Sequence, residues 1–119
     1  MDKRKQTGRR GEELAAAYLV KKGYKIVAQN WHCQAGELDI IASRGGELVF
    51  VEVRTRTGRR FGTPEESVTP AKQARLIALA ETYLYESGLV ETDWRIDVVA
   101  VRLGSGPPQI NHLENAVGW

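Results

Sequence analysis

The apolar positions of this chain switch between two spacings, and the switches mark its elements. Over residues 8–22 they recur every three or four positions, which puts Gly11, Leu14, Ala15, Tyr18 and Leu19 on one stripe of a helix. Thr7 is the expected N-cap and Gly23 the stop, with residues 1–7 a basic tail. Glu12 falls at the edge of the stripe and Glu13 on the solvent side. Residues 24–31, centred on Ile26 and Val27, read as a first strand. Residues 55–66 carry two glycines, a proline and three arginines and read as a loop. Helical spacing returns over 70–87, capped by Thr69-Pro70, with Ala74, Ile77, Ala80, Tyr83 and Leu84 as its core stripe. WRIDVVAVRL (94–103) is a further strand, on which Arg95 and Asp97 share a face and Asp97 is read as a structural acid paired with an arginine. Residues 109–113 offer a short edge strand before a tail at 114–119. The order helix, three strands, helix, one strand or two predicts an α/β fold, a central mixed sheet flanked by helices, in one domain spanning 1–119.

The stretch GELDIIASRGGELVFVEVRTR (36–56) breaks the ordinary pattern by placing charge in strands that should be apolar. Gly45-Gly46 supplies a turn that tolerates positive φ, and branched residues on both sides make the segment a β-hairpin. If Arg44 and Glu47 close the turn, Ile41 faces Phe50, Asp39 faces Glu52 and Glu37 faces Arg54, all on one side of the sheet. Facing carboxylates repel, by about 1 kcal/mol at ~4 Å in water and about 4 kcal/mol at the effective dielectric of a protein surface. A hard divalent cation, Mg²⁺ or Mn²⁺, offsets that repulsion and can activate water for attack on phosphate. The competing reading is a solvated ladder in which Glu37 pairs with Arg54 and Asp39 faces water. Glu12 has two readings as well, a site residue or an acid stabilised by the helix dipole.

Composition narrows the class. With 42% hydrophobic and 27% charged residues the chain is ordinary for a globular protein, and no apolar run approaches the roughly 18 residues of a membrane helix. The basic start is not followed by an apolar segment, so no secretory signal is read and a cytoplasmic location is expected. The single cysteine, Cys33, excludes an intrachain disulfide, and the adjacent His32 is read as incidental. Net charge is only +2, but residues 1–75 hold 15 of the 17 Lys and Arg. Arg9, Arg10, Arg56, Arg59, Arg60, Lys72, Gln73 and Arg75 are the candidate contacts to a polyanion, the expected partner being nucleic acid.

Glu12 in a first helix, Asp39 in one strand and Glu52-Val53-Arg54 in the next together resemble the PD-(D/E)xK nuclease core. More closely, RRGEELAAAYL, GYKIVAQNW, GELDIIA, LVFVEVRTR, the 72–84 helix, RIDVVAV and NHLENAV resemble the YraN family of small bacterial proteins over nearly the whole chain. The resemblance implies a fold like that of type II restriction endonucleases and archaeal Holliday junction resolvases. It implies Asp39, Glu52 and the Val53 carbonyl as ligands of Mg²⁺ or Mn²⁺, and Glu12 as the acid of the first helix. Arg54 stands where the motif has lysine, and arginine, protonated at any accessible pH, cannot act as a base. The implied activity is metal-dependent cleavage of DNA. Two other readings stay open, a nuclease fold that binds nucleic acid without cutting and a protein-interaction scaffold. A homodimer would supply two cutting sites. Val117 and Trp119 could dock on the domain or on a second copy.

Overall fold

Short turns join the first three strands. The computed structural model describes residues 3–58 and 68–117. Its elements are α1 (Lys3–Lys21), β1 (Lys25–Cys33), β2 (Gly36–Arg44), β3 (Glu47–Thr57), α2 (Pro70–Glu86), β4 (Trp94–Leu103) and β5 (Gln109–Leu113). The β2–β3 turn is Gly45-Gly46, with φ of 59° and 82°, the left-handed region that glycine enters without penalty. The five strands form one sheet in the order β1-β2-β3-β4-β5. Neighbours are antiparallel except β3 and β4, which run parallel and so need a crossover, on which α2 lies. The α/β fold with a helix-flanked mixed sheet is therefore as the pattern predicts, and the edge strand β5 forms as well.

Each helix covers one face. Ala15 and Leu19 of α1 pack on Ile40, Val49, Val51, Val99 and Val101. On the other side Leu76, Leu79 and Leu84 of α2 pack on Leu38, Ile41, Phe50, Ile96 and Val98. The two parallel strands sit mid-sheet with side chains of both faces buried, which explains why VFV and VVAV read as unbroken apolar runs. No helix among the described residues is long and apolar enough to cross a membrane.

Several local readings need correction. α1 begins at Lys3, so Thr7 lies inside the helix and no basic tail covers residues 3–7. Lysine, glutamine and arginine propagate a helix well enough to carry it through Gly8, at a cost of about 1 kcal/mol relative to alanine. The helix does stop at Gly23 (φ 94°), where Tyr24 N–H donates to Leu19 O and Gly23 N–H to Val20 O, a Schellman closure. β1 continues to Cys33, and Gln34-Ala35 turns it directly into β2, Cys33 pairing with Gly36. β3 runs on to Thr57 because β4 pairs with it as far as Leu103, so residues 55–57 are strand and not loop. The α2 stripe is Leu76, Leu79, Ala80 and Leu84, and Ala74 is exposed. The tail is docked: Ala116 N–H donates to Ile96 O, and Val117 is buried in the α2-side core. Trp119 lies outside the described residues.

Candidate metal centre

The site arises where β2 and β3 stop pairing. From the turn, the register follows Arg44–Glu47 through Ile41–Phe50 to Ile40–Val51, as the glycine turn dictates, and there it ends. Beyond that rung β2 continues against β1, with Leu38 opposite Trp31 and Glu37 opposite His32, while β3 continues against β4. The strands fork. Had the register continued, Leu38 would face Val53. Instead Asp39 Oδ2 accepts from Val53 N–H at 2.8 Å. A strand residue presents its N–H and C=O to the same neighbour, so the Val53 carbonyl opens into the fork too. Leu38 is buried on the α2 side and Ile40 on the α1 side, so the usual alternation breaks at Asp39. Asp39 and Glu52 are therefore not ladder partners on one face with Glu37 and Arg54. Their side chains meet across the fork.

α1 supplies the third wall. Gly11 packs so closely on Thr55 of β3 that a Cβ at position 11 would overlap the threonine side chain. This approach holds Glu12, one residue on, over the fork. Glu12 lies well past the first turn of a helix that starts at Lys3, so the macrodipole reading of this acid is excluded. Carboxylate oxygens of Glu12, Glu37 and Asp39 lie within 4.8 Å of one another. Burial, then the Glu52 charge and a hydrogen bond with Glu52, push Asp39 up from 3.8 to about 8, against the Val53 N–H, which lowers it. Glu12 is raised in turn by burial and by Glu37, while Arg9 lowers it. The half-buried Asp39 is thus not the solvated acid of a surface ladder.

Arg54 Nη1 lies 3.4 Å from Glu52 Oε2, two residues back on its own strand, and not on Glu37 as the hairpin register implied. Glu37 turns to β1 and α1. His32 Nε2 is 3.7 Å from Glu37 Oε2, and His32 Nδ1 donates to the Asn30 backbone carbonyl at 2.6 Å. Glu37 is the acid that sequence reasoning assigned elsewhere; its place two residues before Asp39 was the available signal.

A second cluster of possible ligands, Asp97, His112 and Glu114, has the opposite electrostatics. Asp97 is fully buried and accepts from Arg95 Nε (2.9 Å), His112 Nε2 (2.7 Å) and Asn115 N–H (2.9 Å). Burial raises its pKa, but these donors outweigh it and hold Asp97 below 3.8. Arg95 also reaches Glu47 and the Tyr24 hydroxyl, and Tyr18 OH lies 3.2 Å from His112 Nδ1. Asp97 is thus paired with an arginine, as its face-sharing with Arg95 predicts. A cation has no vacancy to fill beside the Arg95 guanidinium. In the fork, by contrast, Glu12, Glu37, Asp39 and Glu52 draw together, and hard oxygen donors of this kind fit Mg²⁺ or Mn²⁺.

Of the candidate polyanion contacts, Arg9 and Arg10 are exposed on α1 in the turn before Glu12, and Arg56 follows Arg54 on β3. Lys72, Gln73 and Arg75 stand in the first turns of α2; Gln73 donates to Val68 O and lines a cleft with Asn115, Ala116 and Val117. Among the described residues no hydrogen bond or ion pair joins these three to the fork. Arg59 and Arg60 lie outside the described residues.

Comparison with known proteins places the chain. The profile of the uncharacterised protein family UPF0102 matches residues 11–101, which contain all four carboxylates of the fork. The chain is 48% identical over 120 residues to the UPF0102 protein of Roseiflexus castenholzii, covering 93% of this chain and 97% of that one. It is 51% identical over 113 residues to that of Symbiobacterium thermophilum (94% and 96% covered) and 48% over 117 residues to that of Pelotomaculum thermopropionicum (97% and 98% covered). With that match across the sheet, both helices and the fork, the chain belongs to the uncharacterised protein family UPF0102, the YraN family that its motifs resemble.

Proposed function

We propose that this protein is a metal-dependent nuclease that hydrolyses phosphodiester bonds in DNA. One observation carries the reading: Glu12 from α1, Asp39 from β2 and Glu52 from β3 converge where the β2–β3 ladder ends, and burial together with the Glu52 charge pushes Asp39 up to about 8. Asp39, Glu52 and the Val53 carbonyl would hold Mg²⁺ or Mn²⁺, with Glu12 at the rim. Such an ion, when bound, supplies Lewis acidity toward a phosphoryl oxygen and an activated water. The chain's own residues do the rest. The Val53 N–H fixes one Asp39 oxygen, leaving the other for the fork. Arg54, permanently charged and 3.4 Å from Glu52, would stabilise charge on the phosphoryl oxygens rather than take a proton. Arg9, Arg10 and Arg56 would meet the flanking phosphates, so recognition rests on backbone and shape more than on base edges.

The test is cleavage of linear and branched DNA in Mg²⁺ or Mn²⁺ by wild type and by Glu52→Gln. Metal-dependent products from wild type alone support the reading, and equal products from both proteins refute it. Arg54 in the lysine position favours one other reading, a DNA-binding protein that does not cut. That reading expects no products from either protein, with an affinity that falls with salt at a log–log slope of about −0.9 per phosphate neutralised. A protein-interaction scaffold expects no salt-dependent DNA binding, and in a symmetric two-strand cutter sedimentation would find a homodimer.

A further inference from the structure

Asn30, in the middle of β1, is one of two non-glycine residues with positive φ (53°) among the described residues. Asparagine is disfavoured in strands but is among the few side chains that enter the left-handed region with little penalty. The place of this excursion matters. In the β1–β2 register Gln29 faces Ile40 and Trp31 faces Leu38, so the skipped rung between them joins Asn30 to Asp39. It is the rung at which β2 loses its alternation, with Leu38 on one face and Ile40 on the other. Both strands therefore depart from regular geometry at the same level, and that level is the floor of the fork.

The side chain of Asn30 is turned toward the same place. With the amide oriented so that its nitrogen faces the carboxylates, Nδ2 donates to Glu37 Oε1 at 2.9 Å and to Glu12 Oε2 at 3.2 Å. One amide thus ties an acid of β2 to an acid of α1. The backbone carbonyl of Asn30 accepts from His32 Nδ1, and the same imidazole reaches Glu37 through Nε2. Two like-charged carboxylates would otherwise swing apart into solvent, since Glu37 is exposed.

We infer that Asn30 is a positioning residue of the fork: its left-handed backbone lets β1 follow β2 through the break at Asp39, and its amide ties Glu37 to Glu12 and so holds Glu12 at the rim of the site where Asp39 and Glu52 would take a divalent cation. The purpose rests on the proposed nuclease reading, but the amide bridge is a property of the metal-free protein.

Asn30→Gly separates the two roles, because glycine keeps the left-handed backbone and removes only the amide. The expected result is a folded protein whose Mn²⁺ affinity, followed by the paramagnetic resonance of free Mn²⁺, falls about 10-fold, the lower end of the effect of losing an outer partner of a metal site. Wild-type affinity in Asn30→Gly overturns the inference, since a purely structural role predicts that result. A second measurement needs no metal. In ¹⁵N–¹H spectra of the metal-free protein, the Asn30 side-chain amide pair is expected to shift in Glu12→Gln and again in Glu37→Gln. A pair that ignores both substitutions overturns the bridge, even if wild type binds no Mn²⁺, an outcome that would count separately against the nuclease reading.

Discussion

Replacing Asp39 by asparagine is expected to stabilise the metal-free protein at alkaline pH. The folded protein raises the Asp39 carboxyl from 3.8 to about 8, through burial first and the Glu52 charge second. A carboxyl with a raised folded pKa binds more protons folded than unfolded between those two values. Its effect on stability is therefore nil below pH ~4, and stability declines as pH rises toward about 8. At about 1.4 kcal/mol per tenfold change, the rise bounds the cost of ionising Asp39 at ~6 kcal/mol. Because part of that rise comes from the Glu52 charge and hydrogen bond, about 2–3 kcal/mol is the portion to assign to Asp39. Asparagine keeps an oxygen for the Val53 N–H and carries no charge. In EDTA, Asp39→Asn should match wild type at pH 4.5 or fall slightly below it, and exceed it at pH 9 by about 2–3 kcal/mol, or roughly 10 °C in Tm. Urea unfolding at both values reads the difference. Saturating Mn²⁺ should offset that difference, since it stabilises only a protein that binds it, by about 2.7 kcal/mol at a hundredfold excess over Kd. An Asp39→Asn protein less stable than wild type by the same amount at both pH values would refute the argument, because it would make Asp39 an ordinary structural acid.

Other expectations follow from separate parts of the molecule. Gly11→Ala inserts a Cβ into the Thr55 side chain and should lift α1 from β3, costing about 1–3 kcal/mol in urea unfolding and weakening Mn²⁺ binding through Glu12. Asp97→Asn leaves the half-buried Arg95 short of charge and should cost about 3 kcal/mol at pH 7. Asp97 has a lowered folded pKa, so wild type loses this contribution as pH falls below ~4, and the two stability curves should converge there. Arg54→Lys should keep or raise cleavage, while Arg54→Ala should lose at least about tenfold in kcat if the guanidinium stabilises phosphoryl charge. Unchanged kcat in Arg54→Ala would remove it from the chemistry.

Local signals carried much of this architecture in the sequence. The α1 stripe buries Ala15 and Leu19 as its spacing requires, because one amphipathic helix can cover a sheet face in only one rotation. Gly45-Gly46 fixes the hairpin register rung by rung to Ile40–Val51, and the Thr69 hydroxyl accepts from Lys72 N–H at 3.2 Å as an N-cap should. What failed was non-local. The register could not reveal the fork, at which β2 keeps its pairing with β1 and β3 its pairing with β4 while their own ladder ends. Thr7 looks as good a cap as Thr69, but lysine and glutamine upstream extend the helix past it. In α2 the small residues Ala74 and Ala80 fit two alternative stripes, and only the docking on Phe50 and Ile41 selects Leu76 and Leu79. Glu37 was misplaced for the same reason as the fork: its partner lies on β1 and α1 and not on β3. Asn30 gave one faint signal, a turn-forming residue inside a strand pattern.

The most direct measurement of the central claim is an anomalous difference map from crystals soaked in Mn²⁺. The account predicts a peak between the Asp39 and Glu52 carboxylates with the Val53 carbonyl among its ligands, and none beside Asp97, His112 and Glu114, where Arg95 already supplies the positive charge. A peak at Asp97 and His112 with nothing in the fork would contradict it.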